Sequence, residues 1–113
     1  MPYIEIKTSK AIANDAECEM TKSFGKAISI FQGKSERWLM LNFSGEERMA
    51  FAGKTEPSCA MISVSLFGAG SREEYDKFTE AACEIVSAIG IPKDRIYVKY
   101  SEYSTWGMGG ENF

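Results

Sequence analysis

The chain opens Met1-Pro2-Tyr3-Ile4-Glu5-Ile6, and both the fold and the chemistry are read outward from these six residues. Ile4 and Ile6 alternate with Tyr3 and Glu5, the period-two pattern of a strand with one face in a core. If the initiator Met1 is removed, Pro2 becomes the N-terminus and its nitrogen changes from an amide to a basic secondary amine. That amine then sits at the edge of a core and not on a loose tail. The alternative is that a Met-Pro opening carries no chemistry.

Beyond the first strand, Asn14 or Asp15 caps a helix whose apolar positions Met20, Phe24, Ala27, Ile28 and Phe31 recur at three- and four-residue steps. Gly25 inside it costs about 1 kcal/mol relative to alanine, which points to close packing there, and Gly33 is the expected stop. Trp38 to Phe43 is apolar over a strand's length, as in a strand covered on both faces. Met49 to Phe51 is a candidate short strand. Cys59 to Leu66 is a further apolar strand, and Ser71-Arg72-Glu73-Glu74 is a capping box. Tyr75, Phe78, Ala82, Ile85 and Ile89 form the stripe of a second helix that Gly90 and Pro92 end. Arg95 to Tyr100 is the last main strand, with Ile96 and Val98 facing away from Tyr97 and Lys99.

Strand, helix and strand begin near residues 2, 15 and 38 and again near 59, 72 and 95, an internal period of about 57 residues. The expected fold is α+β. Two βαβ repeats, near residues 2–57 and 58–113 of a single domain spanning 1–113, form one four-stranded mixed sheet with both helices on one face. The opposite sheet face then exposes apolar side chains, which other copies of the chain about a symmetry axis would cover. The segment Ser104 to Phe113, rich in glycine and aromatics, is placed to reach a neighbour.

Composition narrows the function. The 113 residues carry a net charge of −3 with the 13 basic residues scattered, which argues against a nucleic-acid surface. No stretch approaches the roughly 18 apolar residues of a membrane span, and the N-terminus lacks a signal-peptide pattern, so a cytoplasmic protein is expected. Three widely spaced cysteines, Cys18, Cys59 and Cys83, favour free thiols over a disulfide framework. The chain has no histidine. That removes the usual base near pH 7, the Ser-His and Cys-His pairs and the commonest transition-metal ligand. No metal and no cofactor is expected. Acid–base chemistry falls to a carboxylate, lysine, tyrosine, thiol or the terminal amine. Gly68-Ala69-Gly70 lacks the lysine and spacing of a phosphate loop and is read as a tight turn.

Taken in order, Met1-Pro2 opening a strand, Gly33-Lys34 after the first helix, Met49-Ala50-Phe51-Ala52-Gly53 with Thr55-Glu56-Pro57, Asp94-Arg95-Ile96-Tyr97-Val98 and a Trp-Gly-rich end closing in Asn112-Phe113 resemble the macrophage migration inhibitory factor family of the tautomerase superfamily over essentially the whole length. The resemblance implies a homotrimer whose sheets form a central barrel. It also implies a pocket at each subunit boundary with Pro2 as catalytic base. Lys34 is similar to the family's pocket lysine, and Tyr97 to the tyrosine given by the neighbouring subunit. Ser65 and Leu66 stand where a Ser-Ile pair lines the pocket, with Tyr3, Trp38, Trp106, Met108 and Phe113 as apolar walls. Departures are Ser35 for a proline, Lys99 for an asparagine, and Phe67 inserted before Gly68. Cys59 is followed by Ala60, Met61 and Ile62, so the Cys-x-x-Cys redox activity proposed for vertebrate members is not expected.

The implied activity is keto–enol tautomerisation of phenylpyruvate-like acids, the partner being a small enolisable carboxylic acid. The alternative is a cytokine-like ligand exported without a signal peptide and bound by a protein receptor. A dehalogenase or hydratase reading needs arginines around Pro2, and Arg37, Arg48, Arg72 and Arg95 do not obviously converge on it. Apart from the resemblance, Lys34 reads as a solvated helix-end lysine and Tyr97 as a subunit-contact residue. A base near neutral pH needs its amine lowered from about 8. Burial does part of this, and a lysine about 6 Å away at an effective dielectric of about 20 adds roughly 3 kcal/mol.

Overall fold

In the computed structural model, which describes residues 1–113, the alternation at the N-terminus becomes β1, Pro2–Thr8, with Ile4, Ile6 and Thr8 buried. The chain continues through α1 (Asn14–Ala27), β2 (Met40–Ser44), β3 (Ala60–Phe67), α2 (Arg72–Ser87) and β4 (Ile96–Tyr103). A short hairpin of β5 (Gly107–Met108) and β6 (Glu111–Asn112) ends it. The four long strands form one mixed sheet in the order β2-β1-β3-β4. β1 runs parallel to β2 and antiparallel to β3, and β3 runs parallel to β4. The expected pair of βαβ units is therefore present, with helices starting at Asn14 and Arg72 after strands starting at Pro2 and Ala60.

Both helices cover the same sheet face. Met20, Phe24, Ile28 and Phe31 from the first helical region and Phe78, Ala82 and Val86 from α2 share one core with Ile4, Ile6, Ile62, Val64 and Leu66. Phe31 lies at its centre, 5.0 Å from Phe78 and 5.6 Å from Tyr75 between ring centroids. Gly25 is buried because Glu36 sits over it: a Cβ there would meet the Glu36 carboxylate at 1.9 Å. The absence of that side chain lets the turn after α1 lie flat on the helix.

Several expectations need correction. The strand predicted over 38–43 starts at Met40, because Glu36–Trp38 closes a 3-10 turn first. It is an edge strand whose Met40 is exposed, so it is not covered on both faces within one chain. Met49 to Phe51 forms no strand beyond a single Phe51–Lys54 bridge. At the start of α1 the capping position is Ala13, and the Asp15 carboxylate accepts only the N–H of Ala16. The Ser71–Glu74 capping box is present as read.

The uncovered sheet face is also less apolar than expected. Its middle row, Asn42, Glu5, Ser63 and Lys99, is polar across all four strands. Apolar groups gather at the two ends. Met40 and Tyr3 lie at one end, with Phe67 and Tyr103 beyond them, and Met61 and Tyr97 lie at the other.

Candidate active site

Pro2 begins β1, is buried, and lies opposite Leu66 in the antiparallel register. The carbonyl of Met1 accepts the N–H of Phe67 at 3.0 Å, and the carbonyl of Phe67 accepts Lys34 Nζ at 2.7 Å. The residue ending β3 thus ties the front of the chain to the lysine. Burial is the main cause that lowers the Met1 α-amine from 8.0 to about 6, followed by the charge of Lys34 and a hydrogen bond with it. An amine at this place is therefore largely neutral at pH 7.

Lys34 is delivered by a turn. The N–H of Lys34 donates to the carbonyl of Phe31 at 3.0 Å, Phe31 is extended at ψ 121°, and Gly33 has φ +80°. These are the features of a type II turn, which needs positive φ at its third residue, here glycine. Gln32, the second residue, gives its N–H to Glu74 Oε2 at 2.8 Å. The other carboxylate oxygen of Glu74 accepts the N–H of Ser71 at 2.8 Å within the capping box of α2. The N–H of Gln32 and then that of Ser71 hold the Glu74 carboxyl below its ordinary value.

Beside this polar cluster lies an open depression lined by Tyr3, Met40, Ser65, Tyr103, Thr105 and Trp106. The Trp106 ring stands 6.0 Å from that of Tyr103. Phe113 donates its N–H to the Trp106 carbonyl at 2.9 Å and sets its ring 6.1 Å from that of Phe67. The Tyr3 hydroxyl accepts from Asn42 at 3.0 Å. A cationic, hydrogen-bonding spot next to an aromatic wall suits a small aryl acid.

A family model described as macrophage migration inhibitory factor matches residues 1–112. The chain belongs to that family. Among curated relatives, a macrophage migration inhibitory factor homolog of Trichuris trichiura is 24% identical over the full length of both chains. Among solved structures, Leishmania major MIF2 superposes with a TM-score of 0.93 at 25% identity, covering 100% of this chain and 97% of the other. The Toxoplasma gondii macrophage migration inhibitory factor gives 0.90 at 26% identity, covering 98% and 99%.

Of the residues assigned through the family resemblance, the structure gathers Pro2, Lys34, Tyr3, Ser65, Trp106 and Phe113 at one end of the sheet. Leu66 needs correction. It is 0% exposed and alternates inward with Ile62 and Val64, so its side chain belongs to the core under the helices and lines no pocket. Trp38 lies beneath the Arg37 guanidinium at 5.0 Å, and Met108 is exposed on the C-terminal hairpin. Tyr97 is at the other end altogether. It pairs with Met61, five places from Leu66 along β3, which puts it about 17 Å from Pro2 in the strand direction. Tyr103 escaped the sequence reading, and Phe67 entered it only as a departure before Gly68; the two are paired across β3 and β4. The outward parity that Tyr103 shares with Tyr97 and Lys99 was the available signal. A separate groove between α1 and α2, lined by Met20, Ile85 and Ile89 among others, lies on the far side of the sheet and does not compete with this site.

Proposed function

We propose that the chain is a keto–enol tautomerase that uses Pro2 as general base after Met1 is removed, acting on phenylpyruvate-like acids at a site completed by a neighbouring subunit. The observation that carries the reading is the position of the chain's front end: Pro2 is buried, and the partly buried Met1 amine beside Lys34 is lowered to about 6. In the Met1-bearing chain the Pro2 nitrogen is an amide without a basic lone pair, so processing is required. Removing Met1 frees the N–H of Phe67, which its carbonyl had occupied. That donor and Lys34 then face whatever oxygen replaces it.

The neutral Pro2 amine takes a proton from the carbon next to the substrate carbonyl. The electrons of that C–H bond form the C=C bond, and the carbonyl π electrons move to oxygen. Lys34 and the freed N–H stabilise the resulting enolate, as donors aimed at developing charge do. Protonation of the oxygen gives the enol and returns the base to its neutral form. The aromatic wall of Tyr103, Trp106 and Phe113 takes the aryl group.

The two apolar ends of the open sheet face support a homotrimer. A heterologous contact joins two different patches and closes into a ring when the rotation allows. The Met61–Tyr97 end of one chain meeting the Tyr3–Met40 end of the next would bring Tyr97 to Pro2. The test is phenylpyruvate enolisation by Met1-cleaved protein, its mass confirmed, beside Pro2→Gly. A large loss in the variant supports the assignment; equal rates reject it.

A further inference from the structure

The segment that carries Lys34 is anchored at its turn by a residue of another element. Gln32 is the only turn residue whose N–H reaches α2, through Glu74 Oε2 at 2.8 Å. Glu74 is itself fixed, because its second oxygen accepts the N–H of Ser71 and its own N–H donates to Ser71 Oγ at 3.1 Å. One carboxylate therefore closes the helix cap and holds the turn two residues ahead of Lys34. Nothing else polar ties this turn to α2; the remaining contact is the apolar one from Phe31 to Tyr75 and Phe78. A side-chain ammonium on a four-carbon stem is flexible, so the place of its Cα decides how much of its charge the amine feels.

We infer that Glu74 is a positioning residue for Lys34, acting through the N–H of Gln32 to keep the lysine beside the N-terminal amine. The inference rests on the role of Lys34 proposed above, but its consequence for the amine can be read without catalysis.

The turn supplies a clean perturbation. Proline is favoured at the second position of a type II turn, and Phe31, at φ −81° and ψ 121°, has the extended backbone required before proline. Gln32→Pro therefore keeps the turn, Glu74 and the capping box, and deletes the one N–H in question. Glu74→Ala removes the same bond from its other end. Removing a negative charge lowers an amine pKa by itself, so a rise in Glu74→Ala cannot be a charge effect.

The measurement is the N-terminal amine pKa by NMR in protein that retains a labelled Met1, with enolisation by the cleaved form alongside. Both variants are expected to raise the amine from about 6 toward the free-amine value, and to add nothing in a Lys34→Met background, since coupled residues are not additive. A rise of about one unit cuts the neutral fraction at pH 6 roughly five-fold. Ser71→Ala, which weakens the cap but not the strap, should lower Tm and leave the amine unmoved. An unchanged amine in either strap variant, or a rise that persists without Lys34, overturns the inference. Wild-type protein that fails to enolise phenylpyruvate would reject the tautomerase reading while leaving this titration result standing.

Discussion

If each site draws Pro2 from one chain and Tyr97 from the next, two inactive variants should rescue each other. Within one chain the two residues are about 17 Å apart along the strands, beyond the reach of a tyrosine side chain, so a site confined to one chain cannot use both. Pro2→Gly removes the base, and Tyr97→Ala removes the ring that the neighbour supplies. Tyr97 is 59% exposed and its main partner is the Phe51 ring at 5.0 Å. The ring pair contributes about 0.5–1.5 kcal/mol beyond its area burial, and Tyr97 is more exposed than buried, so the variant chain is expected to stay folded, which its circular dichroism would check. In trimers refolded from an equal mixture, a site is intact when its Pro2 comes from a Tyr97→Ala chain and its Tyr97 from a Pro2→Gly chain. Random assembly about a three-fold axis gives this at about one site in four. The assay is the initial rate of phenylpyruvate enolisation by processed, co-refolded protein against wild type. The expectation is about a quarter of the wild-type rate, from parents that are each nearly inactive. A mixture no faster than the average of its parents would refute the shared site, and a fully active Tyr97→Ala would refute the role of that tyrosine.

Further expectations concern the amine, the core and the helix contact. The Met1 amine is lowered to about 6 by burial and by Lys34, and the same two causes should lower the Pro2 amine that succeeds it from its own free value; kcat/KM should then rise with pH as that amine loses its proton, and Lys34→Met should move the acid limb up, burial still keeping it below the free-amine value. A pH–rate profile checks this, and an unmoved limb counts against the charge effect. Phe31→Ala, emptying the centre of the aromatic cluster, should cost about 3–5 kcal/mol in denaturant unfolding. Gly25→Ala must swing the exposed Glu36 carboxylate off α1 and at the same time gains about 1 kcal/mol of helix propensity, so the full gain should show only when Glu36→Ala is added, which thermal melts of the single and double variants would show.

The fold was legible because its signals were local. Alternation in Tyr3 to Ile6, three- and four-residue spacing in α1 and α2, and the Ser71–Glu74 box each specify one element, and their near repetition across the two halves specifies the topology. What misled were residues whose neighbours are non-local. Leu66 has the same strand environment in sequence as Ser65, and only the side of the sheet that the helices cover separates core from pocket. Trp38 reads as strand by composition, yet the turn required to pass over Gly25 places it before β2. The polar middle row of the open face depends on registers between four strands that no single segment encodes. Lys34 could be named from the resemblance, but its bond to Phe67 and that of Gln32 to Glu74 bring together residues more than thirty positions apart.

The convergence on Pro2 follows from chain direction. β1 leaves the site, so α1 must return to it, and the turn bearing Lys34 arrives beside the amine. β3 runs antiparallel to β1 and ends at the site with Phe67; α2 then starts there, which is why Glu74 is at hand. β4, parallel to β3, ends there with Tyr103 and hands over the hairpin that carries Trp106 and Phe113. The same logic places the starts of β3 and β4 at the far end, with Ala60 opposite Thr8 and Tyr97 beside Met61. The second half therefore builds a counterpart of this corner at the other end of the sheet, but the nitrogen of Ala60 is an ordinary amide in mid-chain and has no basicity. Of two corners related by the repeat, only the one holding the chain terminus can carry the base. The other keeps its aromatic surface, Tyr97 against Phe51, which in the proposed trimer would serve a neighbour.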